Sequence, residues 1–172
     1  DLICEFVARD SRFRGVLLAR NFGHQAAISI GLERARGNYV AIMDGDLQDP
    51  PELIGELLQT LIGGADVAYA VRRRRKEGWL KRAVYASFYR ILGRIADIHI
   101  PLDTGDFCCM RRRVVDAMLR LPERNRFVRG LRAWVGFSQV AVPYERDARA
   151  AGETKFTFRK LLRLATDGFF GF

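Results

Sequence analysis

Cysteine is scarce in this chain: three of its 172 residues are cysteines. Cys108 and Cys109 are adjacent, the third is Cys4, and no pair has the Cys-x-x-Cys spacing. This pattern argues against both a disulfide framework and a structural zinc site. We therefore expect free thiols in a reducing compartment.

Long apolar runs are missing as well. No uninterrupted apolar stretch approaches the ~20 residues that span a bilayer, and the first residues lack the basic start and apolar core of a signal peptide. Hydrophobic residues still make up 49% of the chain, too many for a disordered protein. We expect one globular domain. Without an initiator Met and with an apolar end, the chain is expected to be the interior of a longer protein.

Acidic residues are in a minority overall, with a net charge of +9, but the two halves differ. Residues 1–71 contain 6 Lys and Arg against 10 Asp and Glu, so residues 72–172 carry the whole positive excess. This division favours a metal or other cation on the acidic side and an anionic partner on the basic side. The anion could be a nucleic acid, a phosphorylated small molecule or a lipid surface.

Strand and helix patterns alternate in the first half. Short apolar runs predict three buried strands, at 15–20, 39–43 and 65–71. One helix is predicted over 24–36 and a second after residue 49, where Asp49 is the expected N-cap, Pro50 the first helical residue and Glu52 the capping-box partner. Strands and helices that alternate with short turns predict a parallel α/β sheet.

The second half carries two basic amphipathic segments, 79–95 and 157–170, which we expect to be helices. Between them the patterns predict a strand, a helix and a late strand, at 107–110, 111–121 and 140–143. Arg124 to Phe127 fits a nucleic-acid contact loosely, but no RNP pattern, zinc finger or helix-turn-helix spacing accompanies it. The two helices favour an anionic membrane surface instead, and we expect no nucleic-acid partner.

Two carboxylates follow the strand predicted at 39–43. Asp44 and Asp46 are separated by Gly45, and Gln48 could add a neutral oxygen. In open parallel sheets ligands bind beyond the carboxyl ends of the strands, and hard oxygen ligands suit Mg²⁺ or Mn²⁺. The alternative is a polar turn in which Asp49 only caps a helix. We favour the metal.

A further carboxylate, Asp106, follows Gly105 at the entry of the strand predicted at 107–110. A carboxylate held there could act as a general base if it reached the reacting group. Asp and Gly are also ordinary turn residues, and spacing alone leaves both interpretations open.

His24 and Trp134 are the other conspicuous side chains. His24 stands at the start of a predicted helix, where capping or packing is favoured over catalysis. Trp134 is expected to pack against its neighbours, although a sugar could stack on it.

Four motifs in this order resemble glycosyltransferase family 2, in particular its polyprenyl-phosphate branch. They are Arg-Asn-Phe-Gly-His-Gln at 20–25, Asp-Gly-Asp-Leu-Gln-Asp-Pro-Pro at 44–51, Thr-Gly-Asp-Phe at 104–107 and Gly-x-Thr-Lys at 152–155. The resemblance covers nearly the whole chain. The second and third motifs are specific in combination.

The resemblance implies one GT-A-like (Rossmann-like) domain over residues 1–172, a mostly parallel α/β sheet flanked by helices, with amphipathic helices at a membrane interface. Residues 1–71 would be the nucleotide-sugar and metal half, and 72–172 the acceptor and membrane-facing half. It implies that Asp44, Asp46 and Gln48 surround a Mg²⁺ or Mn²⁺ ion on the nucleotide-sugar diphosphate. Asp106 is the implied base toward the acceptor.

Three basic residues match family positions near phosphates: Arg72, Arg82 and, on a loop with Gly152 and Thr154, Lys155. The implied enzyme is an inverting, metal-dependent hexosyltransferase on the cytoplasmic face of the cell membrane, with a nucleotide-sugar donor and a polyprenyl phosphate acceptor. The chain lacks the family's Pro-x-x-Asn-Glu-like first strand and the strand that ends in a base-binding Asp.

Two alternatives remain open. A family 2 transferase of polysaccharide or cell-envelope glycan synthesis usually carries Gln-x-x-Arg-Trp, of which Arg132-Ala133-Trp134 is a poor echo. A non-catalytic basic domain that docks on membranes or RNA is the other. The sequence does not name the sugar, and self-association into a homo-oligomer also stays open.

Overall fold

The computed structural model describes residues 2–46, 48–72, 104–123 and 126–145. Within these residues the elements in chain order are α1 (Leu2–Arg9), α2 (His24–Arg34), β1 (Tyr39–Ile42), α3 (Leu53–Ile62), β2 (Val67–Arg72), β3 (Thr104–Arg111), α4 (Arg112–Arg120), α5 (Val128–Trp134) and β4 (Gln139–Tyr144). The strands predicted at 39–43, 65–71, 107–110 and 140–143 are confirmed with small shifts at their ends, as is the helix predicted at 111–121.

The four strands form one sheet in the order β1-β3-β2-β4. β3 runs antiparallel to both of its neighbours, β1 and β2, whereas β2 and β4 pair in parallel. Three strands therefore point in one direction and β3 points against them. The α/β class is confirmed, and the sheet is mixed because β3 enters from the opposite side.

Side chains of β3 alternate between two apolar cores, one on each face of the sheet. Cys108 and Met110 face a core shared with α2, α4 and α5, whereas Phe107 and Cys109 face a core built on α3 and β4. The adjacent cysteines thus lie on opposite faces, and all three cysteines are free thiols. Helices on both faces leave the ends of the strands as the open edge of the sheet.

The strand predicted at 15–20 is wrong. These residues are irregular, and Leu17 is 78% exposed. A strand needs a neighbour for its backbone N–H and C=O groups. Within the described ranges no strand pairs with this segment. The apolar run alone was therefore not enough to predict a strand.

The predicted N-cap of α3 is also wrong. The helix begins at Leu53, with Glu52 in the N-cap position and no side-chain cap bond. The Leu53 N–H donates to the Pro50 carbonyl at 3.2 Å, so a tighter turn leads into the helix. The Asp49 carboxylate instead accepts a hydrogen bond from the Tyr144 hydroxyl at 2.5 Å.

The helices predicted at 79–95 and 157–170 lie outside the described residues. Of the residues that are described, none belongs to a helix long and apolar enough to cross a membrane.

Candidate active site

Asp106 and Asp44 are brought together by the register of two antiparallel strands. β1 and β3 pair Ile42 with Cys108. Asp44 lies two residues after Ile42 and Asp106 two residues before Cys108, so the antiparallel direction of the strands brings both to the same end of the sheet. The start of β3 thus lies at the same edge of the sheet as the carboxyl end of β1.

Three side chains contact the Asp106 carboxylate, which is 8% exposed. His24 Nε2 lies 3.0 Å from Oδ2, Gln25 Nε2 donates to the same oxygen at 3.4 Å, and Arg129 Nη2 donates to Oδ1 at 3.4 Å. His24 and Gln25 come from the first turn of α2, and Arg129 comes from α5. The carboxylate is therefore held by donors from two helices on the same side of the sheet.

The Asp44-Gly45-Asp46 turn follows β1 directly. Asp46 Oδ1 accepts a hydrogen bond from the Gln48 backbone N–H at 3.2 Å, a local turn of the kind that Asp favours. Gln48 itself is 9% exposed, and His24 Nε2 lies 3.9 Å from Asp44 Oδ1. His24 thus stands between the turn and Asp106.

The carboxylates at this edge influence one another. Burial raises the pKa of Asp44, and the charges of Asp106, Asp49 and Asp46 act in the same direction, while His24 opposes them. A carboxylate crowded by others is stabilised in its ionised form by a nearby cation. The turn is therefore a place where a cation would bind favourably.

Asp106 and His24 form an ion pair that favours both charges. Burial alone would raise the pKa of Asp106, but the hydrogen bond from His24 and the charge of Arg129 outweigh it and lower the pKa. The pKa of His24 is raised, chiefly by its bond to Asp106, against a smaller effect of burial. Asp106 is thus an ionised carboxylate near neutral pH and a weak base.

The donor set suits a shared metal ion. Over residues 2–46, 48–72, 104–123 and 126–145, no group of three or more His, Cys, Asp and Glu could hold a metal ion by itself. Mg²⁺ is usually bound through one or two carboxylates together with substrate phosphates. Asp44 and Asp46, with the Gln48 oxygen nearby in the chain, are oxygen ligands of this kind and would fill only part of the coordination shell of such an ion.

Arg72 ends β2 at the same edge of the sheet. Its Nε is buried and has no hydrogen-bond partner in the described structure. A Cβ placed on Gly105 would lie 4.0 Å from Arg72 Nη2, so the guanidinium passes close to the start of β3. A guanidinium with an unpaired buried donor, at the same edge of the sheet as the carboxylate turn, is suited to an anionic ligand.

The structure brings Asp44, Asp46, Gln48, Arg72 and Asp106 to one edge of the sheet. Arg82, Gly152, Thr154 and Lys155 lie outside the described residues. The roles assigned to all of these residues stay predictions.

Sequence reasoning missed three contacts of Asp106. The expectation of a capping or packing role for His24 is corrected, because its ring contacts Asp106. Gln25 belongs to the motif at 20–25 but was assigned no role, and Arg129 was not singled out. Trp134, expected to be packed, is 52% exposed at the end of α5. The motif at 20–25 was the only sequence signal for two of these contacts, His24 and Gln25.

The chain matches a known protein family. The family model described as Glycosyl transferase family 2 matches residues 1–119. The uncharacterized glycosyltransferase YkcC of Bacillus subtilis (strain 168) is 50% identical over 98% of this chain and 52% of its own length. The prophage bactoprenol glucosyl transferase homolog of Escherichia coli (strain K12) is 41% identical over 89% of this chain and 50% of its own. The chain spans about half the length of the curated relatives it matches.

A solved structure is also similar. The crystal structure of mannosyl-3-phosphoglycerate synthase from Rubrobacter xylanophilus aligns with a TM-score of 0.44 at 19% identity. The alignment covers 87% of this chain and 49% of that chain.

Proposed function

The chain belongs to glycosyltransferase family 2, and we propose that it transfers a sugar from a nucleotide-sugar donor to a polyprenyl phosphate with inversion at the sugar carbon. The observation that carries the proposal is the position of Asp106, with its partners His24 and Arg129, beside the Asp44 turn. The name of the Escherichia coli relative, a bactoprenol glucosyl transferase homolog, supports a lipid phosphate as the acceptor.

The donor side of the site consists of the turn after β1 and the end of β2. Asp44, Asp46 and Gln48 would hold Mg²⁺ or Mn²⁺, and Arg72 would contact the donor phosphates. When bound, a divalent cation neutralises the charge that builds on a diphosphate leaving group. Burial first, and then the charges of Asp106, Asp49 and Asp46, raise the pKa of Asp44, and a cation bound at the turn would favour its ionised form.

The acceptor side is built around Asp106. An oxygen of the acceptor phosphate would attack the anomeric carbon, the bond from that carbon to the nucleoside diphosphate would break, and the diphosphate would leave with the electron pair. A phosphate monoester is already ionised near neutral pH, so no strong base is required. The lowered pKa of Asp106 accordingly suits a group that orients cationic neighbours more than one that removes a proton.

Cations are needed where two anions meet. Arg129 contributes one beside Asp106, and bidentate guanidinium contacts are strong for phosphates. Arg82 and the Lys155 loop, with Gly152 and Thr154, would contribute further phosphate contacts. In this proposal the basic second half of the chain offsets the repulsion between acceptor and donor.

The acceptor also sets the location. A polyprenyl phosphate resides in a membrane, so the site would work at the cytoplasmic face of the cell membrane. The basic amphipathic segments 79–95 and 157–170 would lie on the anionic surface. This part of the proposal rests on the sequence.

The decisive experiment assays the full-length protein with a panel of nucleotide sugars and undecaprenyl phosphate, with and without Mg²⁺ or Mn²⁺. One sugar should be transferred to the lipid. Asp46→Asn should lose most of the metal-dependent transfer while its melting temperature stays near that of the wild type.

Asp116→Asn is the matched control, since it also removes one negative charge but lies on α4 with its side chain 46% exposed. It should transfer sugar at the wild-type rate. Full activity of Asp46→Asn, or full activity in excess chelator, would contradict the metal assignment. Absence of lipid-linked sugar with every donor would contradict the function.

A further inference from the structure

Gln25 connects three elements of the site through one side chain. Its Nε2 donates to Asp106 Oδ2 at 3.4 Å on β3, and its Oε1 accepts the Val128 backbone N–H at 2.9 Å on α5. Its own carbonyl accepts the Ser29 hydroxyl at 2.8 Å within α2. The two partners of the amide are 81 and 103 residues away in the chain.

The orientation of this amide is determined by its partners. A backbone N–H only donates, so the group that meets Val128 must be the amide oxygen. The NH₂ group therefore faces the Asp106 carboxylate, which only accepts while it is ionised. No other orientation of Gln25 satisfies both partners.

Val128 is the first residue of α5, where a helix N–H has no partner within the helix. The next residue is Arg129, whose guanidinium contacts the other oxygen of Asp106 at 3.4 Å. Arg129 Nε is buried without a hydrogen-bond partner, and its side chain is 20% exposed. The position of the guanidinium thus depends on where α5 begins, and Gln25 holds that point.

We propose that Gln25 is a positioning residue that fixes Asp106 and Arg129 relative to each other for sugar transfer, an inference that rests on the proposed function. It touches neither donor nor acceptor in this role. Its oxygen anchors the start of α5, and its NH₂ group fixes the rotation of the carboxylate. Small displacements of such groups reduce rates strongly, because the reacting atoms must be closely aligned.

The Gln25→Glu variant distinguishes a role in positioning Asp106 from a role limited to anchoring the start of α5. Glutamate keeps an oxygen for the Val128 N–H but sets a second carboxylate against Asp106. If Gln25 positions Asp106, kcat falls about tenfold or more while the KM for the nucleotide sugar stays within about twofold. If Gln25 only anchors α5, the variant keeps the wild-type kcat, and the proposal is overturned.

An exchange of charges gives a second readout that does not depend on activity. Gln25→Glu should lower the melting temperature, because two carboxylates meet. Adding Asp106→Asn places an amide opposite the new carboxylate and should recover most of that loss. Purely additive effects of the two substitutions would show that the side chains do not interact and would overturn the proposal.

Ser29→Ala is the matched control on the same helix. It removes a hydrogen bond to the Gln25 carbonyl without touching Asp106, and kcat should stay within about twofold of the wild type. If the wild-type protein transfers no sugar with any donor, the proposed function fails. The melting temperatures of Gln25→Glu and of the double variant with Asp106→Asn then show by themselves whether the two side chains interact.

Discussion

His24 Nε2 and Asp106 Oδ2 lie 3.0 Å apart, although 82 residues separate them in the chain. The contact joins the first turn of α2 to the start of β3, next to the carboxylate turn that follows β1. It lowers the pKa of Asp106 and raises that of His24. Each group therefore favours the charged form of the other at this edge of the sheet.

Asp106→Asn should reduce turnover without weakening donor binding. The side chain contacts His24, Gln25 and Arg129 rather than the Asp44-Gly45-Asp46 turn itself. We expect kcat to fall about 100-fold, because the substitution removes a carboxylate charge that acts mainly in the transition state. Calorimetry should find the dissociation constant of the nucleotide sugar nearly unchanged. Weakened donor binding with an unchanged kcat would place Asp106 on the donor side.

Arg129→Lys should impair use of the acceptor. Lysine keeps the charge but loses the planar fork that the guanidinium offers to carboxylates and phosphates. We expect kcat/KM for the lipid phosphate to fall about tenfold, measured at saturating donor. Arg120→Lys, on the exposed end of α4, is the control and should have no effect. Equal kinetics for the two variants would remove Arg129 from the acceptor site.

Acid should weaken a second, structural ion pair. The Asp66 carboxylate accepts hydrogen bonds from the Arg113 guanidinium and, at 3.0 Å, from the Ser138 hydroxyl. Burial acts to raise the pKa of Asp66, but these two partners outweigh it, so the pKa is lowered in the folded state. The stabilisation is therefore complete above the unfolded value of about 4 and is lost as the pH falls through the folded pKa.

Urea unfolding of Asp66→Asn against wild type tests this. The wild type should be more stable near neutral pH by about 1 kcal/mol, a small value because Arg113 is 62% exposed and water screens the pair. The difference should shrink below about pH 4. Asp116→Asn controls for the loss of one charge. A difference that stays constant down to pH 2 would contradict the expected linkage.

Leu57→Ala should destabilise the fold strongly. Leu57 lies on α3 with no exposed surface, within the core on the α3 face of the sheet. Deleting a buried leucine side chain costs about 2–5 kcal/mol, because it loses apolar contacts and leaves a cavity. Ile62→Ala, on the same helix but 58% exposed, should cost under about 1 kcal/mol. Similar unfolding midpoints for both variants would contradict the assignment of this core.

The chain should bind anionic vesicles in a salt-dependent way. The segments 79–95 and 157–170 are basic and amphipathic in sequence, and each basic residue near an anionic surface contributes about 1 kcal/mol. Binding should weaken with added salt, since the Debye length is about 8 Å at physiological ionic strength. Co-sedimentation with vesicles rich in anionic lipid measures it, and vesicles of neutral lipid are the control. If the chain stays in the supernatant at low salt, these segments do not bind the membrane surface, which would contradict the prediction.

The sequence by itself determined most of the local helices and strands, and the carboxylate turn at 44–46. Apolar periodicity located β1, β2, β4 and α4, because each pattern depends on neighbours a few residues away. Asp44 and Asp46 were recognisable together, since only Gly45 separates them and they follow a strand. The family was recognisable from four short motifs for the same reason.

Tertiary structure decided what distant segments do to one another. The run at 15–20 has strand composition but pairs with no described strand, and Asp49 meets Tyr144, 95 residues away, rather than capping α3. Asp106 faces Asp44 only because β3 is antiparallel to β1, and Gln25 and Arg129 reach Asp106 only once α2 and α5 pack on one face of the sheet. Such contacts depend on strand direction and helix packing, which no local pattern of residues encodes.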